Sequence, residues 1–135
     1  MKRILAIDYG ERRCGLAWTD PNRQIALPLA GIATSELWQQ LEAVIPEVDR
    51  VVIGYPRQLS GAPHPFARQV ERFIKAFQQR YPHIPIERMD ERFTTHAASY
   101  YLHLLPKKTR RVKAHADRIA ATILLENYLQ RRASV

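Results

Sequence analysis

Carboxylates at three separate places in this chain sit where a carboxylate can do chemistry. Asp8 closes the apolar run 3–7 and precedes Tyr9-Gly10, while Asp90 and Glu91 close a second run, 84–89, and precede Arg92. Asp117 shares helical spacing with Ala121, Leu124 and Tyr128, so it should face the protein rather than water. A carboxylate on an apolar face is costly unless it is paired or bound to a cation. Each also has a bland reading. Asp8 could cap the turn that follows it, and Glu91 could pair with Arg92 or Lys113. Asp117 could be an acid in the first turn of the last helix, where the dipole favours it. Converging on one sheet edge, however, three carboxylates repel one another unless divalent cations neutralise them. An all-oxygen donor set suits Mg²⁺ or Mn²⁺. Two such ions can activate a water and stabilise the leaving oxygen in phosphodiester cleavage.

The cations point to the same kind of substrate. With 21 Lys and Arg against 13 Asp and Glu, the formal net charge is +8. From 107 to 132 the cations are Lys107, Lys108, Arg110, Arg111, Lys113, Arg118, Arg131 and Arg132, and the only acids are Asp117 and Glu126. A polyanion would feel that field; a solvated basic loop is the alternative reading. Lys107, Lys108, Arg110, Arg111 and Lys113 are the candidate contacts for a nucleic-acid backbone, with Arg12 and Arg13 beside the acidic edge. Such contacts position a substrate without reading its sequence. Cys14 is the only cysteine, which leaves neither a disulfide framework nor a multi-cysteine zinc site. His64, His83, His96 and His103 share no ligand spacing, and His115 reads as a surface residue at a helix start.

The elements that must position these groups alternate in a telling order. Residues 3–7, 14–19 and 25–32 read as three strands of an antiparallel meander, with Pro28 suited to an edge or a bulge. Ser35 is an expected N-cap for a helix carrying Leu37, Leu41, Val44 and Ile45, which Pro46 ends. Val51-Val52-Ile53 reads as a strand buried on both faces. Phe66, Val70, Phe73, Ile74 and Phe77 fall at i, i+4, i+7, i+8 and i+11, a clear amphipathic helix. A strand over 84–89 and helices over 95–105 and 115–129 complete the chain. The resulting order, βββ-α-β-α-β-α-α, predicts an α/β protein. Its mixed five-stranded sheet, three meander strands plus parallel strands flanked by helices, fits a ribonuclease H-like fold.

With 135 residues the chain is one domain over 1–135, and 46% hydrophobic residues are ample for a core. No apolar run reaches the roughly 20 residues that span a bilayer. The N-terminal run stops at Asp8, too short for a signal-peptide core, which predicts a cytoplasmic protein without a membrane partner.

Four blocks together carry a family resemblance. They are Ala6-Ile7-Asp8-Tyr9-Gly10-Glu11-Arg12-Arg13-Cys14-Gly15-Leu16-Ala17, Val52-Ile53-Gly54-Tyr55-Pro56 with Gly61, Asp90-Glu91-Arg92-Phe93-Thr94-Thr95, and Ala116-Asp117-Arg118-Ile119-Ala120-Ala121. In this order and at this length the chain resembles the YqgF family, Holliday-junction-resolvase-like proteins also described as pre-16S rRNA nucleases. Tyr55, Gln58 and Ala97 depart from the family's commoner Leu, Asn and Glu. The resemblance implies metal-dependent phosphodiester hydrolysis and a role in maturing the 5′ end of small-subunit rRNA during ribosome biogenesis. Asp8, Glu91 and Asp117 fall on the family's acidic positions, so catalysis and a two-metal Mg²⁺ or Mn²⁺ site are expected there. Neighbouring strand residues face opposite ways, which gives Glu91 the inward role and Asp90 a supporting one. The expected partner is structured RNA, the precursor of small-subunit rRNA. Three other readings stay open: resolution of branched DNA by a homodimer, a ribosome-assembly or transcription factor that binds nucleic acid without cleaving, and nucleotide binding in the manner of sugar kinases. The last lacks room for a second domain.

Overall fold

The computed structural model describes residues 2–58, 60–90 and 110–133, the last of these with side chains for 113–132. The expected helix over 95–105 lies outside the described residues. Strands β1 (Arg3–Asp8), β2 (Arg13–Thr19) and β3 (Ala26–Ala33) form the antiparallel meander. Helix α1 (Leu37–Val44), strand β4 (Val48–Tyr55), helix α2 (Ala67–Arg80), strand β5 (Ile86–Asp90) and helix α3 (Arg110–Ala133) follow. The sheet order is β3-β2-β1-β4-β5, with β4 parallel to β1 and β5 parallel to β4. The expected mixed five-stranded sheet is therefore present, and β1 lies at its centre.

Alternation along the strands divides the core into two layers. Leu5 and Ile7 of β1, Cys14 and Leu16 of β2, and Val51 and Ile53 of β4 pack on one face against Leu37 and Leu41 of α1 and Val70, Phe73, Ile74 and Phe77 of α2. On the other face Ile4, Ala6, Ala17, Val52 and Met89 meet Ala121, Leu124, Leu125 and Tyr128 of α3. The spacing of Phe66 to Phe77 thus reads the buried face of α2 correctly.

Several boundaries differ from expectation, each for a local reason. Ser35 caps nothing: a 3-10 turn, Thr34–Glu36, precedes α1, and neither carries a side-chain cap. Its neighbour Thr34 has another task, donating its hydroxyl to the Gly10 carbonyl at 2.8 Å and its N–H to the Arg12 carbonyl at 2.9 Å. Pro28 sits in edge strand β3, where the register shifts so that Leu16 and Ala17 oppose Ala30 and Pro28 and Leu29 is the extra residue. Strand β4 runs beyond 51–53 because it pairs with β1 from Val48 onward. The largest shift is in α3, which begins at Arg110 rather than at 115. Arg110, Arg111 and Lys113 consequently belong to a helix, not to a basic loop. Among the described residues no helix is long and apolar enough to cross a membrane.

Candidate active site

Asp8 ends β1 on the face that α3 covers, as the alternation from Ile4 and Ala6 requires. In the β1–β2 ladder it stands opposite Gly15, and Gly15 stands opposite Gly31 of β3. A row running from Asp8 through two glycines thus crosses three strands. Helix α3 lies directly on that row. A Cβ at Gly15 would fall 1.9 Å from the Asp117 carbonyl oxygen, and one at Gly31 would fall 2.0 Å from that of Ala114. Any side chain there would hold the helix off the sheet. Gly15 lies within β2, as the expected strand over 14–19 has it, and its lack of a side chain has a use there. It is a seat for the backbone of Asp117.

Seating the helix there puts the Asp117 carboxylate beside Asp8 and Arg13. Arg13 Nε donates to Asp117 Oδ2 at 2.7 Å, and the two side chains keep 29% and 25% of their surface exposed. Burial raises the Asp117 carboxyl above its ordinary value, and the Asp8 charge adds to that. Arg13 opposes the shift through its hydrogen bond and its charge, and Lys113, exposed on the turn before Asp117, adds a smaller pull. Asp117 is seven residues into α3, two turns beyond its start. The helix-dipole reading of Asp117 falls with that, because the effect dies within the first turn.

The strand ends supply the rest of this edge. Asp90 pairs in register with Tyr55 and lies 3.9 Å from Arg57 Nε. Two residues earlier Arg88 grips both oxygens of Glu71 on α2, at 2.6 and 2.8 Å, while Met89 faces α3. Alternation puts Asp90 on the α2 side with Arg88, so it does not join Asp8 and Asp117. Glu91 lies outside the described residues, as do Lys107 and Lys108 and the side chains of Arg110 and Arg111. Among the described residues no group of three metal-ligating side chains occurs, and two of the three expected acids are brought together. Two partly buried carboxylates close enough to feel each other's charge, with a guanidinium on one of them, nonetheless offer the oxygen donors that a hard divalent cation takes. Arg12 is exposed in the turn after Asp8.

Arg57 escapes the sequence reading. It follows Gly54-Tyr55-Pro56 at the carboxyl end of β4, over the Tyr55 ring and beside Asp90. A cation directly after that block was the available signal. An open cavity of about 490 Å³ adjoins Asp8's strand end, lined by Tyr9, Gly10, Glu11, His64, Phe66 and Gln69. Other candidates recede. His115 is exposed and 3.1 Å from Arg118, and Cys14 is buried, its thiol pushed up chiefly by burial. A protonated thiol without a base is no nucleophile.

Comparison with known proteins shows the family and the fold. A family model described as "RuvX: Holliday junction resolvase" matches residues 2–131. A relative from Christiangramia forsetii is 41% identical over 133 residues, covering 96% of this chain and 98% of that protein. One from Flavobacterium psychrophilum is 42% identical over 136 residues, covering 98% and 99%. Both carry the name "Putative pre-16S rRNA nuclease". Among solved structures, T. thermophilus RuvC in complex with a Holliday junction substrate superposes with a TM-score of 0.56 at 15% identity, covering 100% of this chain and 98% of that one. That likeness is one of fold, and the fold is ribonuclease H-like.

Proposed function

Because the chain belongs to the RuvX family of Holliday junction resolvases, we propose that it is a divalent-metal-dependent endonuclease that matures the 5′ end of precursor small-subunit rRNA. The carrying observation is the seat at Gly15, which presses Asp117 against the sheet beside Asp8. An arrangement that sets two like charges together at a cost in folding is expected where a cation is to be held. Asp8 and Asp117 hold Mg²⁺ or Mn²⁺, with Glu91 as the third acid. The cation, when bound, supplies Lewis acidity toward the phosphate and a stronger nucleophile from water.

This chain's own residues do the remainder. The Gly15–Gly31 row and Thr34 keep the Asp8 edge rigid. Cations at Arg12, Arg57 and Lys113, and those at Lys107, Lys108, Arg110 and Arg111, hold the phosphate backbone along it. The names of the relatives support RNA as substrate.

The family description and the RuvC likeness favour a second reading, cleavage of branched DNA, which needs a homodimer for symmetric cuts. One assay separates them. Purified protein is incubated with precursor small-subunit rRNA and with a four-way DNA junction, in Mg²⁺ and in Mn²⁺. Cleavage of the RNA that stops in Asp117→Asn is expected. Cutting of the junction alone would move the function to DNA, and a wild-type rate in Asp117→Asn would remove the proposed site.

A further inference from the structure

The Arg13 guanidinium sits on the Asp117 carboxylate. Arg13 opens β2 two residues before Gly15, on the same face of the sheet, so it, Asp8 and Asp117 meet around one glycine. Its guanidinium is bound to Asp117 at 2.7 Å in a partly buried pocket. Without it, two carboxylates would face each other there, and like charges in a poorly solvated place repel strongly. Lys113 and Arg12 do not replace it: both are exposed, so their charges are largely screened by water.

We propose that Arg13 is a positioning residue that holds the cation's place in the metal-free protein, so that a divalent ion must displace its guanidinium from Asp117 in order to bind. The inference rests on the metal-nuclease reading above. An arginine cannot shed its charge, so its bond to Asp117 is a fixed competitor for the metal. It keeps the acidic edge folded while empty and sets the metal affinity below what the carboxylates alone would reach.

The test is Mn²⁺ binding to the full chain, without nucleic acid, by isothermal titration calorimetry. The variants are Arg13→Gln, Arg13→Lys, Arg12→Gln and Asp8→Asn, with melting in EDTA to show that each is folded. Arg13→Gln should bind Mn²⁺ about tenfold more tightly than wild type, the equivalent of one charge-assisted hydrogen bond. Arg13→Lys, which keeps the charge but loses the guanidinium fork, should fall between them. Arg12→Gln removes the same charge one residue away and should gain less than about twofold. Any other order among Gln, Lys and Arg at position 13 overturns the proposal, as does an equal gain from Arg12→Gln. If Arg13→Gln does not fold, equality or reversal between Arg13→Lys and wild type overturns it alone. Wild-type binding that Asp8→Asn abolishes, with Arg13→Gln unchanged, sinks this inference and spares the metal site. No Mn²⁺ binding in any variant sinks both.

Discussion

One methyl group at Gly15 is enough to test how the candidate site is built. In Gly15→Ala the new Cβ would lie 1.9 Å from the Asp117 carbonyl oxygen, 2.6 Å from its carbonyl carbon and 3.2 Å from its Cα. All three are backbone atoms, so no side chain can swing aside. To reach the 3.4 Å of ordinary contact, Asp117 must retreat about 1.5 Å, and α3 must move or bend with it. Ala121, Leu124 and Leu125, one to two turns along, then lose contact with Ile4, Ala6 and Ala17. Overpacking of this kind costs about 1–3 kcal/mol, and a backbone clash belongs at the upper end. At roughly 3–5 °C per kcal/mol for a domain of this size, melting should fall by about 10 °C. Displacement by more than an ångström at a reacting centre costs on the order of 10²-fold in rate. Gly15→Ala should therefore remain folded at 25 °C yet lose Mn²⁺ binding and about 99% of its nuclease activity. The assays are thermal melting by circular dichroism, Mn²⁺ calorimetry and RNA cleavage. A variant that melts within about a degree of wild type and binds Mn²⁺ equally would refute the reasoning, because the helix would then not rest on Gly15.

Further expectations follow from the same geometry. Asp8→Asn should lose divalent-cation binding and cleavage, yet melt no lower than wild type in EDTA, since it relieves repulsion with Asp117; a cleaving Asp8→Asn would contradict the site. Neutralising Lys107, Lys108, Arg110 and Arg111 together should weaken RNA binding and flatten its salt dependence. Each lost contact should lower the slope of log K against log salt by about 0.7 for a single strand, and an unchanged slope would make these residues bystanders. Cys14, whose thiol burial holds above its ordinary value of 9.0, favours the protonated form in the fold. Its contribution to stability is whole below pH 9 and is lost as pH rises through the raised value. Denaturant midpoints measured from pH 8 to 10.5 in wild type and Cys14→Ala should diverge in that direction, with cleavage by the alanine variant intact; parallel curves would show that the thiol's burial carries no such term.

Much of this protein is legible without coordinates, because its periodicities are short-range. The apolar run of β1 that ends at Asp8 and the spacing of Phe66 to Phe77 in α2 each report a local geometry that a few neighbouring residues determine. The order of elements then limits the sheet to few topologies, and the placement of Asp8 at the end of the central strand follows. Element ends are less legible, since tertiary contacts set them. Thr34 holds the turn after Asp8, so Ser35 has no cap to make. The helix starts at Arg110, so the reading of Asp117 as a first-turn acid does not survive. Least legible is what lies between elements. Gly15 and Gly31 are unremarkable in the chain until the register sets them side by side and α3 rests on both. Arg13 and Asp117, 104 residues apart, become partners only through that seat. Sequence determines which residues form strands and helices and which carboxylates end them. How closely two elements approach, and so which charges meet, is decided by packing across the whole sheet, where the presence or absence of one Cβ moves a helix by more than an ångström.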